Sequence, residues 1–95
     1  MPSTPYRLVQ TPFFERALRK FARRHPELRE KTAETFVALS ADPFAPSLRL
    51  RNLTGPLAGK QAVSIAYAYR IVLCVEVTEH EVIPHNIGTH DEVYP

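Results

Sequence analysis

The apolar positions of this chain change their spacing about half-way along it. From Phe14 to Leu39 they recur every three or four residues, and from Leu48 to Ile87 they alternate or run together. The first spacing belongs to amphipathic helices and the second to strands. Tyr6-Arg7-Leu8-Val9-Gln10 alternates weakly and predicts a short first strand. Thr11-Pro12 then makes a good helix start, with Thr at the N-cap and Pro where a missing N–H costs nothing. Phe14, Leu18 and Phe21 form the stripe of that helix, Ala17 and Ala22 lie beside them, and Arg16, Arg19, Lys20, Arg23 and Arg24 fill the rest. His25-Pro26 ends it, because the residue before a proline is pushed out of the helical region.

A second helix is predicted over 27–41, with Leu28, Thr32, Thr35, Phe36 and Leu39 as its buried stripe and Asp42-Pro43 as its stop. Two such helices joined by a tight turn form a hairpin whose apolar stripes need a sheet to cover them. Four segments supply it: 48–53, 60–66, 69–78 and 81–87, rich in Val, Ile, Leu and Tyr. Gly55 and Gly59 mark the first hairpin and Thr78-Glu79-His80-Glu81 the last, whereas the turn near Tyr67-Ala68 carries no Gly, Asn or Pro. The expected class is α+β: a strand, then an N-terminal helical hairpin packed on one face of a four-stranded antiparallel sheet. A chain of 95 residues suits one domain, over 1–95.

Alternation divides each predicted strand between two faces. Leu48, Leu50, Val63, Ile65, Ile71, Leu73, Val75, Val77, Ile83, His85 and Ile87 share an apolar parity, which should carry the helices. The opposite parity collects Arg49, Arg51, Arg70 and Asn86 around Ala62, Ser64 and Ala66, and His90 continues it if the last strand stays extended. Arginines flanking small side chains predict a shallow positive trough, suited to a phosphodiester backbone because guanidinium binds phosphate through two hydrogen bonds. An ordinary solvated sheet face is the competing reading of the same pattern.

Charge sharpens this picture. The net charge is only +2, yet residues 1–51 hold ten Lys and Arg against five acids, and residues 52–95 hold two against five. A nearly neutral chain can therefore carry a basic surface. The single cysteine, Cys74, excludes an internal disulfide and any multi-cysteine zinc site, and the four histidines show no metal-ligand spacing, so no metal or cofactor is expected. The first residues have neither the charged nor the apolar region of a signal peptide, and no apolar run approaches the ~20 residues of a membrane span. A cytoplasmic protein is expected. Bland roles are expected for His25 and His80 at turns, for His85 as a hydrogen-bonded core histidine, for Cys74 in packing and for Gly88 as a backbone requirement.

The element order, with Leu53-Thr54-Gly55-Pro56-Leu57-Ala58-Gly59 after the helices, Tyr69-Arg70-Ile71 opening the central strand and Ile87-Gly88-Thr89-His90-Asp91-Glu92-Val93-Tyr94 at the end, resembles the RelE/ParE toxin superfamily. The last segment is the most specific and is similar to the close of RelE-type and YafQ-like toxins. The resemblance covers nearly the whole chain. It implies the toxin of a toxin–antitoxin system, a ribosome-dependent mRNA endoribonuclease that activates a ribose 2′-OH against the adjacent phosphate. It implies a cognate antitoxin, the ribosome and mRNA as partners. Residue by residue, it implies that Arg70 stabilises the scissile phosphate, that His90 is an acid/base group, and that Tyr94 is a base or an aromatic that orients the nucleotide. Arg49, Arg51, Lys60 and Asn86 would contact RNA. Where YafQ-like toxins carry further His, Asp and Arg residues, Ser64, Ala68 and Asn86 stand here, and Lys60 alone answers to the lysine-rich set of RelE. A ParE-like inhibitor of DNA gyrase, or a degenerate member that only binds its antitoxin, are the alternatives.

Overall fold

A computed structural model describes residues 5–94. The chain begins with β1 (Arg7–Leu8) and the helices α1 (Pro12–Arg24) and α2 (Arg29–Ala41). It continues through β2 (Arg51–Asn52), β3 (Gln61–Ala66), β4 (Tyr69–Glu76) and β5 (Glu81–Thr89), and closes with the short helix α3 (His90–Val93). The helices pack on a mixed five-stranded sheet of order β1-β5-β4-β3-β2. The expected four-stranded antiparallel sheet is thus corrected: β1 joins as a fifth strand, parallel to the start of β5 through Arg7–Glu81 and Leu8–Val82. Tyr6 N–H donates to Ser40 O at 2.7 Å and Val9 N–H to Val82 O at 2.9 Å, so β1 is tied to both α2 and β5.

Both helices form for the reasons legible in their ends and stripes. Thr11 accepts from Phe14 N–H at 3.2 Å, Pro12 occupies the first turn, and the His25 N–H closes on Phe21 O. Phe14 and Phe21 are buried. A single 3-10 turn over Pro26–Leu28 precedes α2, which therefore starts two residues later than predicted. Thr32 and Thr35 lie buried on its inner stripe because their hydroxyls donate back to Leu28 O at 2.7 Å and Lys31 O at 2.8 Å, leaving no orphan polar group. The core under the helices joins Phe14, Phe21, Leu39, Leu48, Val63, Ile65, Ile71, Leu73, Val82 and Ile87.

Two predicted strands are altered. The segment 48–53 keeps only Arg51–Asn52 as strand, since Pro46 opens a 3-10 turn through Leu48 and Arg49 sits in the left-handed region at φ 53°. In β5 the register slips: Leu73 pairs with Pro84, but Val72 pairs with Asn86, leaving His85 as an extra residue. Proline lacks the ladder N–H and favours such a bulge. The bulge inverts parity, so Val82 and Pro84 face the core before it and Ile87 faces it afterwards. The predicted core placement of Ile83 and His85 is corrected accordingly. Ile83 pairs with Cys74 on the opposite face, and His85 Nε2 lies 3.4 Å from Cys74 Sγ.

The turn at Tyr67-Ala68 lies where it was expected, although no usual turn residue marks it. Arg70 accounts for it. Its Nη1 donates to the carbonyls of Tyr69 at 3.0 Å, Tyr67 at 3.1 Å and Ala66 at 3.4 Å, stapling the β3–β4 hairpin from inside.

Phe14 is fully buried between helix and sheet, whereas Val37 on α2 is 71% exposed. Phe14→Ala is expected to lower unfolding free energy by about 3–5 kcal/mol, and Val37→Ala by less than about 0.5 kcal/mol. Urea titration of both variants checks this, and equal losses would contradict the docking of α1 on the sheet.

Candidate functional site

The trough face is partly roofed. Ala62 and Val72, on this face by register, are buried, as is Val93 of α3, yet none of the three belongs to the core under the helices. The roof is α3, which leaves the end of β5 and folds back against β4 and β5. Its start is a complete capping box: Thr89 Oγ1 accepts from Glu92 N–H at 3.3 Å, and Glu92 Oε1 accepts from Thr89 N–H at 2.8 Å. The Tyr94 N–H donates to His90 O at 3.0 Å and closes the turn.

That turn brings His90 and Tyr94 together, four residues apart on one side of the helix. Their rings meet edge-on with centroids 4.3 Å apart. Both line a cleft of about 340 Å³ whose other wall is β2 and the loop after it: Arg51, Asn52, Leu53, Thr54, Pro56 and Leu57. His90 is exposed, with Nδ1 3.5 Å from Asp91 Oδ1. The Tyr94 hydroxyl is different. It is buried and has no hydrogen-bond partner among the described residues.

The residues singled out in the sequence divide into groups. His90, Tyr94 and Arg51 share the cleft. Arg70 does not line it, and its guanidinium is engaged with three carbonyls of its own hairpin. Arg49 is exposed in its left-handed turn and lies outside the cleft. Asn86 keeps the predicted face by register, opposite Val72, but lines another cleft, with Arg16, Lys20 and Arg24 of α1. Its Oδ1 accepts from Ile87 N–H at 2.9 Å, beyond the point where β1 stops pairing with β5.

Lys60 belongs to a third place, near Cys74 and His85. Burial pushes the Cys74 thiol up, and the Lys60 charge opposes this. Burial also pushes the His85 imidazole down, with Lys60 adding to the effect. A thiol held protonated beside a neutral imidazole suits packing rather than nucleophilic chemistry. His25 and His80 stand at turns, the first over the Phe21 ring and the second 5.1 Å from the Tyr6 ring.

Sequence reasoning quoted Glu92 and the 53–57 loop as parts of the resemblance but gave neither a role in the site. The first had a signal: Thr89-His90-Asp91-Glu92 has the spacing of a capping box and predicts a helix start at Thr89. The second had none, because a loop becomes a cleft wall only through tertiary packing. Among the described residues no three His, Cys, Asp or Glu side chains gather to hold a metal ion. No helix among them is long and apolar enough to cross a membrane.

No family profile matches the chain, and no curated protein matches it in sequence. Solved structures do. The chain shares its fold with solved toxin structures, at low sequence identity. The YoeB/ParE toxin from Agrobacterium tumefaciens is 21% identical with a TM-score of 0.72, over 88% of this chain and 98% of that one. A chain of the RelBE2 toxin–antitoxin complex from Mycobacterium tuberculosis is 22% identical with a TM-score of 0.71, over 90% and 99%. A chain of the DinJ–YafQ toxin–antitoxin complex from E. coli is 11% identical with a TM-score of 0.75, over 96% and 99%.

A buried hydroxyl without a partner destabilises. Tyr94→Phe is therefore expected to raise stability by roughly 1 kcal/mol, read from denaturant unfolding. A comparable loss would show that the hydroxyl is bonded after all.

Proposed function

We propose that this protein is the toxin of a toxin–antitoxin pair and cuts mRNA on the ribosome by transphosphorylation. The observation that carries the reading is the single cleft shared by His90, Tyr94 and Arg51. Attack of a 2′-OH on the adjacent phosphate needs a base, an acid and positive charge on the developing phosphorane. His90 is the proton-transfer group, since an imidazole works in both directions near neutral pH. Arg51 is the cation that meets the phosphate in the cleft. Tyr94 orients: with its hydroxyl buried and its ring against His90, it offers a face to the nucleotide rather than a base, and base–aromatic stacking contributes roughly 1–3 kcal/mol.

Arg70 acts behind the cleft by holding the β3–β4 turn, while Arg49 and Lys60 add positive charge, and Asn86 a neutral amide, to the surface over which RNA passes. The partners are a cognate antitoxin, in keeping with neighbours drawn from toxin–antitoxin complexes, and the ribosome with its mRNA. The site of action is the cytoplasm. A ParE-like gyrase inhibitor would share the fold, and one neighbour is named YoeB/ParE toxin. The His90–Tyr94–Arg51 cleft favours the nuclease.

In a translation reaction with mapped mRNA ends, the wild type is expected to cut within translated codons. His90→Ala should slow cleavage by about 10²–10⁴-fold, and Tyr94→Phe should retain it. Cleavage unchanged in His90→Ala would contradict the assignment. Inhibition of DNA supercoiling without mRNA cleavage would establish the gyrase reading instead.

A further inference from the structure

We infer that Glu92 is the positioning residue of the His90 site, locking α3 over Gly88 and thereby fixing where His90 and Tyr94 stand. The inference rests on the reading of His90 as the proton-transfer group. Helix α3 has four residues, too few to hold a helical turn by itself. Val93 anchors one side of it on the sheet, and Glu92 ties the other side to Thr89 and to the end of α1.

One carboxylate oxygen, Oε1, accepts from Thr89 N–H at 2.8 Å, while Oε2 lies 3.5 Å from Arg24 Nη1 at the end of α1. Thr89's backbone N–H, then its hydroxyl, hold the Glu92 carboxyl below the usual carboxylate range, with help from Arg24 and His25, so it is charged at neutral pH. Beneath it, Gly88 has no room for a side chain. A Cβ there would stand 2.9 Å from Glu92 Oε1 and 3.1 Å from Glu92 Cβ. Gly88 does not occupy the left-handed region. Its need for glycine is therefore one of space, created by Glu92, and the pair acts as one latch.

The latch lies apart from the cleft it serves. Glu92 lines the cleft beside α1, with Arg16, Lys20 and Asn86, whereas His90 and Tyr94 line the one beside β2. Glu92 thus reaches the reacting groups only through the helical turn between them. Its removal frees the Thr89 N–H, releases α3 from Arg24 and lets the His90 and Tyr94 rings separate.

Three variants test this: Glu92→Ala, Glu92→Gln and Gly88→Ala. Each is read by single-turnover cleavage on translating ribosomes, by thermal unfolding, and by the NMR shifts of the His90 ring protons, which sense the Tyr94 ring edge-on beside them. Displacing a reacting group by ~1 Å costs up to roughly a hundred-fold in rate. Glu92→Ala and Gly88→Ala should therefore cut kcat at least about ten-fold with KM nearly unchanged. The His90 shifts should move towards those of a free histidine while the unfolding temperature stays close to that of the wild type. Glu92→Gln, whose amide oxygen still accepts the Thr89 N–H, should recover most of the rate and of the shift. His90 shifts unchanged in Glu92→Ala, or Gln no better than Ala, would overturn the inference. If the wild type does not cleave mRNA yet the His90 shifts move as stated, the nuclease reading fails and the latch stands.

Discussion

Between Pro84 and Asn86 the ladder joining β4 and β5 takes in one residue too many, and the layout of both faces depends on that slip. A strand of strict alternation could not place Val82 and Pro84 under the helices and also bury Ile87 beside Phe21, because Ile87 differs in parity from the other two. The bulge at His85 resolves the conflict. It gives the helices a continuous apolar floor and turns Gly88 to the opposite face, where a side chain would collide with Glu92. It also comes where β1 no longer pairs with β5, so the strand bends without breaking a ladder on its outer side.

With Gly88 so placed, the end of the chain has a surface to fold onto. The face expected to be an open trough becomes two regions. Its centre, around Ala62 and Val72, is covered, and its rim holds a cleft between α3 and the segment after β2. Closing the centre concentrates the chemistry: one imidazole, one aromatic ring and one guanidinium share a cleft of about 340 Å³. The other cations lie on β1, α1, α2, β4 and in loops, outside this cleft, and contribute to the field around the protein.

Much of this was legible in the residues, and the failures have physical causes. The helices were readable because Thr11-Pro12, His25-Pro26 and Asp42-Pro43 punctuate them and their stripes recur at helical spacing. The face of Asn86 and Gly88 was readable from alternation, whereas His90, expected to continue that face in an extended strand, instead opens α3. The parity of Ile83 and His85 was not readable, since nothing in a sequence counts an extra residue in a ladder. Likewise Arg49 beside Arg51 reads as strand until Pro46 forces the turn that carries Arg49 away. Arg70, grouped with His90 in the sequence, lies outside the lining of its cleft for another reason. A turn without glycine, asparagine or proline leaves carbonyls to be satisfied, and Arg70 was the donor within reach.

The central claim is that Arg51 and His90, distant in sequence, act on one phosphate in one cleft. A double-mutant cycle on the cleavage rate tests it most directly, comparing Arg51→Ala, His90→Ala and the double variant on translating ribosomes. Groups that act as a unit lose their effects non-additively. The double variant is expected to be little slower than His90→Ala alone, by no more than about three-fold. Losses that multiply in full would mean that the two residues work at separate places, and the cleft would not be the site.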